Sequence, residues 1–290
     1  GRAVRRSFRI VMKAAVVGNP VDHSLSPDIH NFWLNEAGLK GVYTKKTVRD
    51  ENLTDFITNA AKEGFSGLNI TVPHKEKALK ACDVLSATAK ELGAVNLITF
   101  KNGIIFGDNT DGQGFIESIK EKLPNISFEK NSFAILGAGG AAKGIIHALH
   151  KNSAKKITII NRNYKKAKDL ANKYKETAVP FDLKDIKKGL NGASFLINTT
   201  TMGMRGGPAS INIDFLSFPE ILCFTDIVYN PKTTNLMKSA TKSGVKVIGG
   251  IGMLVNQAVP AFQAFYGEEP RNLDKLYSVL ENKMKVIDND

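Results

Sequence analysis

Short apolar runs alternate with longer amphipathic segments along most of the chain, and this alternation predicts an α/β fold. Runs such as "AAVVG", "GLNITV", "FAILG" and "FLINTT" have the length of buried strands, and the segments between them have the period of helices. Strands that alternate with helices favour parallel sheets covered by helices. The segment "NLITFKNGIIFGD" is an exception, because Asn102-Gly103 predicts a tight hairpin turn.

The predicted elements divide into two domains and a C-terminal helical segment. We expect residues 12–111 to form the first α/β domain and residues 112–250 to form a second, Rossmann-like domain. The helices predicted within residues 251–290 follow the second set of strands, and we expect them to pack back on the first domain. Residues 1–11 are rich in Arg and are interpreted as a tag remnant or an upstream extension, with Met12 as the native start.

Net charge narrows the possible partners. Forty Lys and Arg residues against 28 Asp and Glu residues give the 290-residue chain a formal net charge of +12. This excess favours anionic ligands, but most of it is scattered Lys without the interleaved basic and aromatic residues of an RNA-binding surface. We therefore predict no nucleic-acid partner.

Residue content also argues against a membrane protein, a disulfide scaffold and a metal enzyme. No stretch approaches the roughly 18 consecutive apolar residues of a spanning helix, so we predict a soluble chain with no membrane partner. Cys82 and Cys223 form neither a disulfide framework nor a metal-binding spacing, which favours a cytoplasmic location. His147 and His150 lack a convincing set of further ligands, and no metal site is predicted.

The segment "FAILGAGGAAKGII" predicts a phosphate-binding turn between a strand and a helix. Gly137, Gly139 and Ala142 follow the GxGxxA spacing, in which glycines permit a tight turn and a close approach of the pyrophosphate. The first N–H groups of the following helix would face the phosphate oxygens. The alternative is a turn whose glycines have only a structural role. The predicted dinucleotide-binding residues of the turn are Gly137, Ala138, Gly139, Gly140 and Ala141.

The end of the next predicted strand favours NADP over NAD. An acidic residue there would accept hydrogen bonds from a free ribose 2′-hydroxyl, but this chain has Asn161, Arg162 and Asn163. A guanidinium pairs well with a 2′-phosphate, and Lys165 and Lys166 add positive charge nearby. The alternative is that Arg162 only caps a solvated strand end.

Polar residues also gather at a predicted strand end in the first domain. In "NITVPHK", Asn69, Thr71 and Lys75 are spaced to share one face of an extended chain, while Ile70 and Val72 would enter the core. Open α/β sheets bind ligands at strand ends, so this polar face is a candidate substrate site.

A pair of serines lies at a predicted helix start in "GNPVDHSLSPDIHN". Ser24 and Ser26 precede Pro27, which suits the first helical position. Two hydroxyls beside the positive end of a helix suit a carboxylate ligand. The alternative is that Ser26 is only the helix N-cap.

The order of these segments resembles the shikimate/quinate dehydrogenase family, and shikimate dehydrogenase in particular. The chain carries "GNPVDHSLSPDIHN", "NITVPHK", "GAVN", "GDNTDG", "GAGGAA", "NR", "DIVYNPKTT" and "GGIGMLVNQA" in that order, and the resemblance covers nearly all of it from about Ala14. It implies an N-terminal substrate-binding and catalytic domain followed by an NADP-binding domain. The implied reaction is the reversible, NADP-dependent reduction of 3-dehydroshikimate to shikimate, which leads towards chorismate and the aromatic amino acids. We expect a monomer or a homodimer.

The resemblance implies roles for single residues. Lys75 and Asp111 would be the catalytic pair: an ammonium can stabilise and then protonate the alkoxide that hydride addition creates, and a carboxylate can orient it. Whether the proton passes directly from Lys75 or through a coupled Lys–Asp–water network stays open. The implied substrate contacts are Ser24, Ser26, Thr71, Asn96, Tyr229 and Gln257. The implied cofactor contacts add Gly250 and Met253 to the glycine-rich turn and to Asn161, Arg162 and Asn163.

The chain departs from the family pattern at two of these places. Leu97 follows "GAVN" where the family commonly has threonine, and Asn163 stands where threonine often assists the 2′-phosphate. Two alternative functions stay open at this point. One is a quinate or shikimate dehydrogenase that prefers NAD, and the other is a non-catalytic NADP-binding sensor in which Lys75 and Asp111 are incidental.

Overall fold

The chain folds into two compact units. The computed structural model describes residues 11–289. The first unit runs to Thr110 and includes Ala258–Ser278, and the second comprises Asp111–Gln257 and resumes at Val279. The predicted N-terminal extension, residues 1–11, lies outside the described residues except for Val11. Within residues 11–289, no helix combines the length and the hydropathy needed to cross a membrane.

The first unit has a six-stranded sheet with helices packed against it. Its strands are β1 (Met12–Gly18), β2 (Gly41–Thr47), β3 (Phe65–Ile70), β4 (Val84–Leu85), β5 (Leu97–Lys101) and β6 (Ile104–Asp108). Its helices are α1 (Ser26–Glu36), α2 (Leu53–Lys62), α3 (Lys75–Ala78) and α4 (Ala87–Leu92).

The sheet of the first unit is mixed, in the strand order β2-β1-β3-β5-β6-β4. Strand β1 pairs in parallel with β2 and β3, whereas β5 is antiparallel to β3 and β6. Asn102 and Gly103 join β5 to β6 with φ values of 52° and 76°, as a tight turn with two left-handed residues requires. The predicted hairpin is therefore confirmed, and it makes this sheet mixed where parallel sheets were expected.

Helical spacing explains how α2 covers this sheet. Leu53, Ile57 and Ala60 lie on one face of α2 and are buried. They join an apolar cluster that includes Val17 from β1 and Ile98 from β5. Burial of a leucine or isoleucine side chain contributes about 1.5–3 kcal/mol, so Leu53 and Ile57 stabilise this layer.

The predicted alternation along "NITVPHK" is wrong beyond Ile70. Strand β3 ends at Ile70, and Lys75 already begins α3. Val72 is 70% exposed rather than buried in the core. Pro73 has no N–H to donate to a ladder, so the strand cannot continue through it. Asn69 therefore lies on a strand, while Thr71 and Lys75 follow in a loop and a helix.

The second unit also has a six-stranded sheet. Its strands are β7 (Ser132–Leu136), β8 (Lys156–Asn161), β9 (Ala178–Asp182), β10 (Phe195–Asn198), β11 (Cys223–Asp226) and β12 (Lys246–Ile248). Its helices are α5 (Asp111–Lys122), α6 (Gly140–Lys151), α7 (Tyr164–Ala171), α8 (Ile186–Leu190) and α9 (Asn235–Lys242). The boundary between the units falls within each of the last two helices, α10 (Ile251–Tyr266) and α11 (Leu273–Asn289).

Every strand pair of the second sheet is parallel, and the order is β12-β11-β10-β7-β8-β9. This is the strand order of a Rossmann fold, with β7 as its first strand. Phe133 and Ile135 of β7 pack into one apolar cluster, and Ala134 and Leu136 pack into another. Both faces of the sheet are thus covered, as parallel sheets require. The α/β class and the Rossmann-like second unit are confirmed.

The C-terminal helices contribute to both units. In the first unit, the rings of Phe262, Phe265 and Tyr266 from α10 lie 5.8–6.4 Å from the ring of His30 on α1. In the second unit, α5 and the start of α10 pack so closely that a Cβ on Gly114 would lie 2.6 Å from the Gln257 backbone nitrogen. The compact units divide α10 after Gln257.

Candidate active site

Ser24 and Ser26 lie together at the start of α1. The helix begins at Ser26, and the Ser26 N–H donates to Ser24 Oγ at 3.3 Å. Ser26 is therefore not the N-cap, and Ser24 accepts from the first N–H of the helix. Ser26 is buried and Ser24 is half-buried.

A buried tyrosine connects this helix start to β3. The Tyr43 hydroxyl donates to Asn69 Oδ1 at 2.7 Å, and the Ser26 side chain hydrogen-bonds to the same hydroxyl. Asn69 Nδ2 donates to the carbonyl oxygen of Asn96 at 3.2 Å. Burial raises the pKa of Tyr43, so its hydroxyl stays protonated. Polar side chains from α1, β2 and β3 thus form one buried network.

The ring of Tyr43 is held by stacking. Its centroid lies 4.0 Å from that of His30, and the two planes differ by 4°. His30 is fully buried, and within residues 11–289 neither of its ring nitrogens has a hydrogen-bond partner. Burial lowers the pKa of His30 from 6.5 to about 3, so the ring is neutral at physiological pH.

The Asn96 side chain is oriented by the loop that follows β6. Asn96 Nδ2 donates to Thr110 Oγ1 at 2.9 Å, and Asn96 Oδ1 accepts from the Thr110 N–H at 2.8 Å. Leu97, the departure from the family pattern, is buried in β5 beside it. The structure therefore joins Ser26, Asn69 and Asn96 in one network at the strand ends.

Lys75 is placed by a buried histidine that precedes it. His74 Nε2 lies 2.7 Å from the carbonyl oxygen of Val48, and the Lys75 carbonyl oxygen accepts from the Val95 N–H at 2.8 Å. Thr71 continues the line of β3 through an N–H donated to β1 at 2.9 Å. The side chains of Thr71 and Lys75 are half-buried.

In the second unit, the glycine-rich turn leaves room beside the start of α6. Gly137 has φ +111°, and a Cβ there would lie 2.6 Å from Thr199 Oγ1, so this position requires glycine. Helix α6 begins at Gly140 after Gly139, and no described atom lies within 4 Å of a Cβ built on either glycine. The free N–H groups of a helix start and this open space fit a pyrophosphate.

A pocket of about 310 Å³ extends from this turn to the end of β8. It brings together Gly137, Asn161 and Arg162 from the predicted cofactor contacts. The Arg162 guanidinium supplies a positive group that suits a 2′-phosphate. The lining of the pocket also includes Thr200, Thr201 and Met202, which follow β10. The residues present therefore fit NADP.

Two neighbours of Arg162 have other partners. Asn163 Oδ1 accepts from the Lys166 N–H at 3.2 Å and caps α7. Lys165 Nζ lies 2.8 Å from Asp169 Oδ2. Arg162 is thus the basic group of this strand end that lines the pocket.

The remaining predicted residues are distributed over the second unit. Asp111 begins α5 and is buried. Tyr229 follows β11, and burial raises its pKa. Gln257 Nε2 donates to the Leu254 carbonyl oxygen at 2.7 Å. Lys75 belongs to the first unit and Asp111 to the second.

Gly250 and Met253 lie around the start of α10. A Cβ on Gly250 would collide with the carbonyl oxygen of Ile227, so a larger residue does not fit there. Met253 packs against the apolar cluster that contains Phe115 and Ile145.

Family models match both units. Residues 16–98 match the model described as the shikimate dehydrogenase substrate binding domain, and residues 117–204 match the model described as shikimate / quinate 5-dehydrogenase. The chain is also 38% identical over 264 residues to a shikimate dehydrogenase (NADP(+)) from Paramagnetospirillum magneticum. The aligned region covers 91% of this chain and 95% of that protein. The chain belongs to the shikimate dehydrogenase family.

Solved structures of family members share this fold over most of their length. The shikimate 5-dehydrogenase of Listeria monocytogenes, in complex with shikimate and NAD, aligns with a TM-score of 0.86 and 28% identity over 97% of this chain and all of that chain. The Thermus thermophilus enzyme, in complex with NADP(H) and shikimate, aligns with a TM-score of 0.80 and 34% identity over 90% of this chain and 95% of that chain.

Sequence reasoning missed the residues that hold this family member's polar groups in place. Tyr43 and His30 lie in apolar patterns, and nothing in their spacing indicates that one stacks on the other and reaches Asn69. Asn198 and Asp226, at the ends of β10 and β11, could have been found. They are polar residues that close buried apolar runs, which is the signal that singled out Asn69 and Asn96.

Proposed function

We propose that this chain catalyses the reversible, NADP-dependent reduction of 3-dehydroshikimate to shikimate, within the supply of chorismate and aromatic amino acids. The observation that carries the proposal is the 38% identity to a shikimate dehydrogenase (NADP(+)) over 91% of this chain. The pocket lined by Gly137 and Arg162, which suits NADP, and the polar network of the first unit, which suits a polyhydroxylated ligand, support the proposal.

The second unit is proposed to hold the cofactor. The turn of residues 137–141 and the start of α6 would hold the pyrophosphate, and Arg162 would pair with the 2′-phosphate. Asn161, Asn163, Gly250 and Met253 are proposed to complete the cofactor contacts. When bound, NADPH supplies the hydride that reduces the ketone.

The first unit is proposed to bind the substrate, which is a polyhydroxylated carboxylate. Ser24 and Ser26 would donate to the carboxylate beside the positive end of α1. Ring hydroxyls would be recognised by Thr71 and Asn96, together with Tyr229 and Gln257 from the chain beyond Thr110. The orientations of Ser26 and Asn96 are already fixed by buried partners, which lowers the entropy lost on binding.

Lys75 is proposed as the acid of the reduction. As the ketone oxygen gains negative charge, the Lys75 ammonium stabilises that charge and then transfers a proton to the oxygen. Asp111 is proposed as the other member of the catalytic pair, and its carboxylate would accept a hydrogen bond from a substrate hydroxyl. The reverse reaction uses neutral Lys75 as the base.

One assay tests the reaction. The protein is mixed with 3-dehydroshikimate and NADPH, loss of NADPH absorbance is followed, and the product is identified as shikimate by chromatography. Turnover to shikimate supports the proposal. Tight NADPH binding without turnover would instead support the non-catalytic sensor. A cytoplasmic location and a monomeric or dimeric state remain predictions from the sequence.

A further inference from the structure

A buried carboxylate in the second unit accepts three hydrogen bonds. Asp226 closes β11 and is fully buried. Its Oδ1 accepts from Asn198 Nδ2 at 3.1 Å and from the Val228 N–H at 3.0 Å, and its Oδ2 accepts from Thr234 Oγ1 at 2.8 Å. Burial raises the pKa of the Asp226 carboxyl, while these three bonds oppose that rise.

Asn198 links the Asp226 carboxylate to the loop that follows β10. Its Nδ2 also donates to the Met202 carbonyl oxygen at 3.3 Å. Its Oδ1 accepts from the Thr200 N–H at 3.1 Å and from Thr200 Oγ1 at 2.6 Å. Thr200 Oγ1 accepts from the Met202 N–H at 3.1 Å. Both donors and both acceptor positions of the buried Asn198 amide are therefore used, three of them by this loop.

The loop held in this way forms one wall of the pocket. Thr200, Thr201 and Met202 line it, whereas Asn198 and Asp226 are fully buried behind them. The loop has no regular secondary structure, so side-chain bonds replace a strand ladder in fixing its N–H groups. Each group bonded to Asp226 is a donor, and a carboxylate is the side chain that accepts from all of them.

We propose that Asp226 and Asn198 are positioning residues that pre-form the loop of residues 200–202 for the dinucleotide. This proposal rests on the proposed function only in taking NADPH as the ligand of the pocket. Neither residue contacts the ligand, and both act through the loop. A pre-formed wall increases affinity because less conformational freedom is lost when the ligand binds.

Asn198→Ala is the direct test. The affinity of the purified protein for NADPH is measured by titration calorimetry, and the melting temperature is measured without ligand. Removing the amide should raise the NADPH dissociation constant about tenfold, because the loop loses its fixed geometry. The KM for shikimate, measured at saturating NADP+, should change less than twofold.

Thr234→Val is the matched control. It removes the third donor to Asp226 and the cap of α9, while valine keeps the Cβ and Cγ2 atoms that Thr234 places beside Gly203. We expect a lower melting temperature with an NADPH dissociation constant within twofold of the parent. Asp226→Asn should change the NADPH dissociation constant only slightly. The new Nδ2 can donate to Thr234 Oγ1, while Oδ1 still accepts from Asn198.

Hydrogen exchange tests the proposal without a variant. The N–H groups of Thr200 and Met202 donate to side chains of this network, so they should be protected before NADPH is added. Free exchange of both in the unliganded parent would overturn the proposal. So would a folded Asn198→Ala protein that binds NADPH like the parent, or an equal loss of affinity in Thr234→Val. Failure to reduce 3-dehydroshikimate would overturn the proposed function alone, because all these readouts are of NADPH binding or exchange.

Discussion

The second unit combines an open glycine-rich turn with a pocket whose charged lining residue is Arg162, whereas the first unit closes its strand ends with buried side chains bonded to one another. Gly137, Gly139 and Gly140 create space at the start of α6, and Arg162 adds one charge at the edge. In the first unit, Ser26, Tyr43 and Asn69 hold each other in place.

This difference predicts two kinds of response to substitution. Arg162 is exposed and is the charged residue that lines the pocket, so a change there should alter cofactor selectivity with little change in stability. A buried side-chain network couples binding to stability, because removing one partner leaves another polar group unsatisfied. The predictions below test this contrast.

Lys75→Met should have the largest effect. Methionine keeps most of the stem volume but removes the ammonium, so kcat for 3-dehydroshikimate reduction should fall about a hundredfold or more. The NADPH dissociation constant should be unchanged, because the proposed cofactor contacts lie in the second unit. Steady-state kinetics and titration calorimetry measure the two quantities.

Lys77→Met is the control for this variant. Lys77 lies in the same helix, and its Nζ pairs with Asp50 Oδ2 at 2.7 Å. Near-parental kcat is expected there. Asp111→Asn should also slow turnover, and combining it with Lys75→Met should be less than additive in free energy if the two act together. Parental kcat in folded Lys75→Met would exclude Lys75 as the acid.

Arg162→Ala should mainly change cofactor choice. Loss of a charge-assisted pair with the 2′-phosphate should weaken NADPH binding about 10- to 100-fold, with NADH binding nearly unchanged. Lys165→Ala is the control, because Lys165 is 83% exposed and pairs with Asp169. Equal losses for both cofactors in Arg162→Ala would contradict phosphate recognition at this residue.

His30 should make the protein sensitive to acid. Its folded pKa of about 3 lies below the ordinary value of 6.5, so only the unfolded chain gains a proton between these values. Stability should therefore fall as the pH drops from about 6.5 towards 3, by about 2 kcal/mol at pH 5. Urea unfolding at pH 7 and pH 5 measures this loss.

His30→Phe keeps a flat ring against Tyr43. It should remove the loss of stability at pH 5 that the titration of His30 causes. It also removes two buried ring nitrogens that have no partner among residues 11–289. His23→Gln, at an exposed position of the same unit, is the control. An unchanged loss between pH 7 and pH 5 in His30→Phe would show that His30 does not titrate as its burial requires.

The serine pair should give the smallest effects. Ser24→Ala and Ser26→Ala should each raise the KM for shikimate about three- to tenfold, as expected for one lost hydrogen bond to a charged group. Ser24→Ala should also cost about 0.5 kcal/mol of stability, because its Oγ accepts from the Ser26 N–H. Unchanged KM values in both variants would contradict carboxylate binding here.

Much of the fold was predictable because it depends on local patterns. The hairpin at Asn102-Gly103 and the strand-turn-helix at Gly137 follow from residues whose backbone preferences are strong. The end of β3 at Ile70 was not predicted. The period-two spacing continued through Val72, and that spacing alone does not show that the ladder stops before Pro73. Ser26 was an alternative helix N-cap, but Ser24 accepts from the first helical N–H, and sequence does not show which of two nearby serines that N–H reaches.

The polar network was harder to predict for a different reason. Tyr43 and His30 are brought together from β2 and α1, and their contact depends on tertiary packing rather than spacing. The roles of Lys75, Asp111 and the other site residues remain predictions that the variants above test.

The most direct test of the account compares kcat/KM for shikimate and quinate, each oxidised with NADP+ and with NAD+, under one set of conditions. The account predicts that shikimate with NADP+ gives the highest value, with NAD+ at least about tenfold lower because Arg162 loses its phosphate partner. A higher value for quinate, or for NAD+ with either substrate, would contradict it.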